Sequence, residues 1–577
     1  MIKVGNSYKQ ACQKPIRKSY IVAKYGLYNK EAKSQINSIN ANANDISNLN
    51  KTYNETKNTD YNYISCEPNR VLLNNTFYFV KDKRSNNENE RIAYWSNELS
   101  NSSGTFTSNP KITYTFSEQV SFTELTLHFQ EVCSNFKVSY YYKDNLITTR
   151  LITNNENLIV ETDGNDFPSS GFDKIEIEFF KTKEPYRYIK FNEIDFGVVE
   201  TFEEEVIKDF NIIDELSIDS SQLSANYLNL SIVDKNGKYD ILNPHNKLRA
   251  LQERQEVTVY HYLSVYGKYQ EIPLGTFLLK KFDYEKKTLK IEAYDDTYFM
   301  NDIYYGTKFY NNEEITNILI DLFNYFNYTN YIIDDELKGI KLTGYVPNVE
   351  FREALRLICE AGQCVINKNR YGKTYIFKTY DPITQVFQKG DIKNSSPKRN
   401  LFNNRVDVVV HNYTNIVENQ EVVKATYEAG TYILQFENPI IDGTLKQGEE
   451  NDNYSIISVG AINCTIQVNS QSEVYLVANV IKVAKSVEKV VRNANLDNND
   501  YAITKIENPL ITISNSKSVG QWKLNRSDIR LNFNTLSKPY IEVGDTCRYI
   551  NEYNNGITFI PTRLEFTKSI NQSIEGE

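Results

Sequence analysis

Tyr227-Leu228-Asn229-Leu230-Ser231-Ile232, running into the turn Asp234-Lys235-Asn236-Gly237-Lys238, sets the period of this chain. Leu228, Leu230 and Ile232 alternate with Asn229 and Ser231, so one face of a strand meets a core and the other faces away. The same period continues outward. Val257 and Val259 alternate before a turn at Gly267, Phe277 and Leu279 follow Pro273-Leu274-Gly275, and Leu289, Ile291 and Ala293 form the next strand. Residues 201–310 read as a small β-barrel or open meander.

Upstream, 61–200 reads as a half-buried antiparallel sandwich. Ile112, Tyr114 and Phe116 alternate, as do Leu125, Leu127 and Phe129, and Ile175, Ile177 and Phe179, with turns at Ser102-Ser103-Gly104 and Pro168-Ser169-Ser170-Gly171. Residues 1–60 hold a strand around Ser19–Tyr25 and a polar linker. Ile36, Ile39, Ala43, Ile46, Asn50 and Tyr53 stand at alternating spacings of three and four, which predicts a short linker helix docked on a neighbour.

Downstream, 311–400 changes period. Ile315, Ile318, Leu319, Leu322, Phe323 and Phe326 predict an amphipathic helix capped by Asn311-Asn312 and Glu313-Glu314. A second helix carries Phe351, Ala354, Leu355, Ile358 and Cys359 on one face and stops at Gly362 as its C′ residue. A hairpin follows: Cys364-Val365-Ile366, a turn over 369–373, then Tyr375-Ile376-Phe377. Residues 401–577 return to β, with Val406, Val408 and Val410 on one strand. The Val-rich segment 474–491 fits helix or strand, and its β-branched content favours strand. The fold class is mainly β and multidomain, with one helix-hairpin α/β module.

Composition bounds the function. The chain has 577 residues with 40% hydrophobic and 24% charged residues, which excludes disorder over most of its length. At roughly 150 residues per domain it holds about four domains. No apolar run is long enough for a membrane helix, and the opening Met1-Ile2-Lys3-Val4-Gly5-Asn6 is not that of a secretory signal. A net charge of −9 argues against nucleic-acid binding, which needs a basic footprint. The 43 Tyr and 29 Phe, with heavy use of Asn, Ile and Lys, suggest AT-rich codons and a low-GC genome. Asn-x-Ser/Thr triplets such as Asn54-Glu55-Thr56 then follow from composition alone. Seven scattered Cys read as free thiols, and Cys359 and Cys364 as core residues.

Reactive constellations are few. Gly372-Lys373-Thr374 ends like a phosphate-binding loop, but Asn367 replaces the required glycine and the context is strand–turn–strand, so it reads as a hairpin turn. His128 is expected to face outward, His245 to lie in a turn, His261 to follow a strand and His411 to follow Val408-Val409-Val410. None has a partner at zinc-ligand spacing. Asp497-Asn498-Asn499-Asp500 lacks the glycine and glutamate of a calcium loop. Asp295-Asp296 is a carboxylate pair, but Asp295 precedes Thr297-Tyr298-Phe299 and reads as a helix cap. No catalytic residue, cofactor or metal is expected.

Five segments, in order, resemble the tail-tip and baseplate hub proteins of phages and phage tail-like bacteriocins of low-GC Gram-positive bacteria. They are Tyr8-Lys9-Gln10-Ala11 with Pro15-Ile16-Arg17-Lys18; 227–232 with Gly237–Pro244; Ile272-Pro273-Leu274-Gly275-Thr276-Phe277 running to Ala293-Tyr294-Asp295; the unit 351–377 around Leu357–Cys364; and Asn508-Pro509-Leu510-Ile511 with Pro539–Asp545. Tyr94-Trp95-Ser96 and Pro185–Lys190 with Ile194-Asp195-Phe196-Gly197 make 61–200 look like a discoidin-type, galactose-binding-like jelly roll. The resemblance implies that this sandwich is inserted into the first hub barrel, whose opening strands come from 1–60.

It also implies a structural hub, usually trimeric, joining tail tube to spike and other baseplate proteins in a virion or tail-like particle made in the bacterial cytoplasm. The family often appends a wall hydrolase; this chain ends at Glu577 without such a domain, so no enzyme is expected. The rival reading is a receptor-recognition protein that binds a host cell-surface glycan through the sandwich, with Trp95 as the carbohydrate contact. A cell-wall hydrolase is the third.

Overall fold

The 227–232 alternation becomes the strand Tyr227–Val233, with Leu228, Leu230 and Ile232 buried. It pairs antiparallel with Thr288–Tyr294 in the register Leu228↔Ala293 and Leu230↔Ile291, so the apolar faces of both strands coincide. The computed structural model describes residues 2–577 except 29–32, 34, 54–61, 64, 69–76, 79–92, 121–124, 163–170, 238, 241, 244–253, 307, 380–381, 400–404, 493–502, 526–528 and 569–570. His245, Asp497–Asp500, Asn54-Glu55-Thr56 and the turn at 168–170 lie outside the described residues. The protein is mainly β and multidomain.

Two compact units share the chain. The first comprises Met1–Ala23, Phe202–Pro244 and Val257–Glu577; the second comprises Lys24–Thr201 and His245–Glu256.

One large sheet organises the first unit. Its order is Glu256–Val265, Lys268–Glu285, Thr288–Tyr294, Tyr227–Val233, Ile207–Glu215, Pro561–Thr567, Asn571–Gly576, Ile529–Leu536, Ile392–Ser395. Beyond Glu256–Val265 it continues to Ser19–Tyr28 and Gly197–Glu203, neighbours through which the chain leaves for the second unit and returns. The expected meander is therefore continuous with C-terminal strands: Ile212 faces Phe566 across the join.

The helices Ile315–Tyr325 and Phe351–Gly362 and the hairpin Val365–Lys368/Thr374–Phe377 form as read. Two details differ. Residues Tyr310–Glu314 form a strand paired with Lys341–Gly344, so Asn311 and Asn312 do not cap the first helix. Gly362 is the last helical residue, and the left-handed residue after it is Gln363, at φ 55°. Gly362 is instead set by packing, because a Cβ there would lie 2.1 Å from Ile315 Cδ1. The core of this module also takes in Val406, Val408, Val490, Leu510, Val519 and Leu524 from the C-terminal region. The segment 474–491 is strand: Ser472–Val491 pairs along Arg405–Tyr427 as a long antiparallel ribbon.

The second unit is a two-sheet sandwich. One sheet has the order Ile36–Ala41, Lys111–Val120, Phe172–Thr182, Cys133–Tyr142, Asn145–Ile152; the other has Ile159–Thr162, Leu125–Phe129, Lys190–Asp195, Tyr94–Trp95. Phe129 joins them, its ring 5.3 Å from Phe136 and 5.4 Å from Phe191. The linker helix expected over 36–53 is absent. Ile36–Ala41 is a strand on Lys111–Val120, and Leu49–Thr52 is a 3-10 turn. The spacing misled because Ile36, Ile39, Ala43 and Tyr53 do meet an apolar surface, but as strand and loop residues on the sandwich core. Sheet pairing supplied what isolated short heptads lacked.

Candidate functional site

Segment 537–545 is the meeting point of the first unit. Arg17 donates from Nη1 to the carbonyls of Cys12 at 2.8 Å and Ser537 at 2.9 Å. Ile2 N–H donates to Tyr540 O at 3.0 Å. Arg370, in the hairpin turn, donates to the carbonyls of Pro539 and, at 2.7 Å, Ile541, and pairs with Asp214 Oδ2 at 3.2 Å. Burial pushes the Asp214 carboxyl up to about 6 despite the neighbouring Arg370. Further along, Asn508 Nδ2 donates to Leu357 O at 2.8 Å and Glu360 Oε2 at 3.2 Å. Buried guanidinium and amide groups thus saturate backbone carbonyls that would otherwise be orphaned.

The short helix Asn6–Cys12, unread in the sequence, seats Tyr8 against His261, with Oη 3.2 Å from Nδ1. His261 lies inside its strand, buried, and does not follow it. Burial, then Arg17 and Arg370, push its imidazole down to about 3, so it is neutral and can accept from the tyrosine. A cavity of about 120 Å³ opens alongside, lined in part by Arg17, His261, Glu204 and Lys568.

A second buried cluster joins strand end, helix end and hairpin. Asp295 caps its 3-10 turn, Oδ1 accepting from Thr297 N at 3.0 Å and Oδ2 from Asn226 N at 2.7 Å. Burial still pushes this carboxyl up to about 7, against those bonds and Lys368. Lys368 Nζ lies 2.5 Å from Asp296 Oδ1 and donates to Tyr328 Oη at 2.6 Å and Gly372 O at 3.1 Å. Tyr328 Oη bonds Asp296 Oδ2 at 3.0 Å and Thr374 Oγ1 at 2.7 Å. Gly372-Lys373-Thr374 is a hairpin turn, with Gly372 at φ 76°.

In the sandwich, Trp95 is 3% exposed. Its ring stacks on Tyr188 at 5.8 Å, Lys190 Nζ stands 4.5 Å over it, and Nε1 reaches Gln130 at 3.4 Å. No exposed face is left for a sugar, which corrects the expected carbohydrate contact. Lys190 is itself held by Glu67 at 2.7 Å and Glu131 at 2.6 Å, beside a recess of about 160 Å³ lined by Glu131, Glu184, Arg187 and Tyr188. His128 does not face freely outward either: Nε2 is 2.7 Å from the buried Asp195 Oδ2. His411 is buried within the long ribbon.

All seven Cys are free thiols; Cys66 is exposed and the others, Cys359 and Cys364 included, are buried. Among the described residues, no three His, Cys, Asp or Glu are grouped to hold a metal ion, and no helix is long and apolar enough to cross a membrane.

The residues missed by sequence reading are Arg17, Arg370, Asp214, Lys368 and Tyr328. Each is a polar residue in or near a turn, where solvation is the ordinary expectation. Only their long-range partners make them structural.

No family model and no curated protein matches the chain. Solved structures similar to it include a 43 kDa tail protein of prophage MuSo2 from Shewanella oneidensis, at 11% identity and TM-score 0.38, covering 66% of this chain and 94% of that one. A tail protein from Neisseria meningitidis matches at 9% identity and TM-score 0.37, covering 65% and 93%. Prophage tail protein gp18 from Listeria monocytogenes matches at 10% identity and TM-score 0.35, covering 66% and 92%. Likenesses this remote carry no functional argument by themselves.

Proposed function

We propose that the chain is a structural hub of a phage or phage tail-like particle, joining tail tube to spike or receptor-binding apparatus as a homotrimer. One observation carries this reading. All five segments that bear the hub resemblance fall in the first unit, and three of them meet directly: Arg370 bonds Pro539 and Ile541, Asn508 bonds Leu357, and the Tyr8 and Tyr540 rings pack edge to face. Segments scattered over the sequence thus act as one framework, and that framework's buried polar groups are spent on backbone carbonyls. Such a protein works through contact area, and no catalytic role is proposed. The inserted sandwich is proposed as a discoidin-like accessory domain.

Cryo-EM of the native particle tests the hub: three copies around the tail axis support it, and a single off-axis copy overturns it. Light scattering should give a multiple of the 67.0 kDa protomer. The glycan reading moves from Trp95 to the recess beside Arg187 and Tyr188, where a guanidinium, carboxylates and a half-buried ring converge. Full-chain binding to a glycan array, lost in Arg187→Ala, would support it; no binding removes it.

A further inference from the structure

We propose that Lys368 and Asp296 join in an intramolecular amide, covalently tying the hairpin to the turn that follows the strand Thr288–Tyr294. The geometry around Lys368 Nζ is that of an amine poised to attack. Its two hydrogen bonds go to Tyr328 Oη at 2.6 Å and Gly372 O at 3.1 Å. Asp296 Oδ1 lies 2.5 Å away and accepts no hydrogen bond. A neutral amine has two N–H groups, so with both placed its lone pair is left for the Asp296 carboxyl.

Burial disfavours the charged form of the lysine. The Lys368 side chain is 3% exposed, and the Tyr328 ring centroid lies 5.3 Å from Nζ. A buried ammonium–carboxylate pair loses hydration that its mutual attraction repays only in part. Transfer of one proton from Lys368 to Asp296 leaves an amine and a carboxylic acid, with no proton taken from outside. The Tyr328 hydroxyl, 3.0 Å from Asp296 Oδ2, polarises the carboxyl.

In the step itself, the nitrogen lone pair forms a bond to Asp296 Cγ. The nitrogen gives up one proton, the Cγ–OH bond breaks, and the hydroxyl leaves with that proton as water. Nothing is oxidised or reduced. The Asp296 side chain is 27% exposed, which gives the released water an exit. Holding amine and acid in contact replaces the encounter that makes amide formation slow in solution.

Intact-mass spectrometry of the denatured, reduced full chain tests this directly. The expected mass is lower than the sequence mass by one water, and a tryptic digest should contain one branched species joining the peptides of Asp296 and Lys368. Lys368→Arg and Asp296→Ala should each restore the full sequence mass. An unmodified wild-type mass, with the two peptides recovered separately, overturns the proposal and leaves a salt bridge. A water loss that maps elsewhere overturns it equally.

Discussion

Gly344 shows how much a single backbone position can carry. Its φ is +136°, and a Cβ there would stand 2.1 Å from the backbone oxygen of Pro509. A carbonyl cannot rotate away as a side chain can, so Gly344→Ala should destabilise by strain and by displacement together, about 2–4 kcal/mol. Gly267→Ala isolates the first term: φ is +84° with nothing within 4 Å, so roughly 1–2 kcal/mol is expected. Gly275 lies inside the strand Lys268–Glu285 with the buried Phe277 ring over it, 2.6 Å from a would-be Cβ. Gly275→Val should cost about 1–3 kcal/mol by overpacking. Urea titration of the three variants ranks them.

His261 gives a pH dependence of definite sign. Its folded value of about 3 lies below the ordinary 6.5, so between those limits the unfolded chain binds more protons. Its contribution is full above 6.5 and is lost as pH falls toward 3. Asp214 and Asp295, raised from 3.8 to about 6 and about 7, run the other way: what they contribute is present at low pH and is lost as pH rises through those values. Wild type should therefore lose melting temperature on acidification more steeply than His261→Gln, and parallel curves would refute the assignment. Sequence alone puts His261 after a strand and Asp295 at a helix cap, and offers no signal at Asp214. Burial by distant segments, which no local pattern reveals, is the main cause of all three shifts; Arg17 and Arg370 add to it at His261, while Arg370 opposes it at Asp214 and Lys368 opposes it at Asp295.

At the scale of elements, legibility followed how local the driving force was. The helices 315–325 and 351–362 were readable because each carries its own apolar face at helical spacing. The hairpin over 365–377 was readable from its turn. Residues 36–53 were not, because their apolar spacing fits a helix while the deciding contact is the register Ile39↔Tyr114 with a distant strand. The helix Ser516–Leu524 was missed because its buried face mixes polar residues with apolar ones, and Asn6–Cys12 because its seven residues are too few to show a period. The end of helix 351–362 yields a test. Gln363 holds the left-handed position that glycine adopts without a Cβ penalty. Gln363→Gly should stabilise by about 0.5–1 kcal/mol, less whatever its 2.8 Å bond to Ser518 contributes. A lower melting temperature in the variant would show that the side-chain bond outweighs the backbone strain.

At the scale of the whole molecule, the second unit takes in residues upstream of 61. Had the sandwich begun at 61, its excision over 61–200 would leave a soluble remainder. But Ile36–Ala41 is an edge strand of that sandwich, and Leu49, Tyr53 and Ala43 pack on its core. Removing 61–200 would strip Lys111–Val120 from Ile36–Ala41 and leave apolar Ile36 and Ile39 on an unpaired strand, a template for aggregation. It would also delete part of Gly197–Glu203, the neighbour of Ser19–Tyr28 in the large sheet. Those two strands are adjacent in the sheet. A chain joined from residue 28 to residue 197 by a short Gly-Ser linker then closes a small gap at little entropic cost. This second variant should be soluble and melt cooperatively, while deletion of 61–200 should aggregate. Size-exclusion chromatography and thermal melting of the pair decide it. A well-behaved 61–200 deletion beside an aggregated 29–196 deletion would show that strand 36–41 belongs with the hub framework and not with the sandwich.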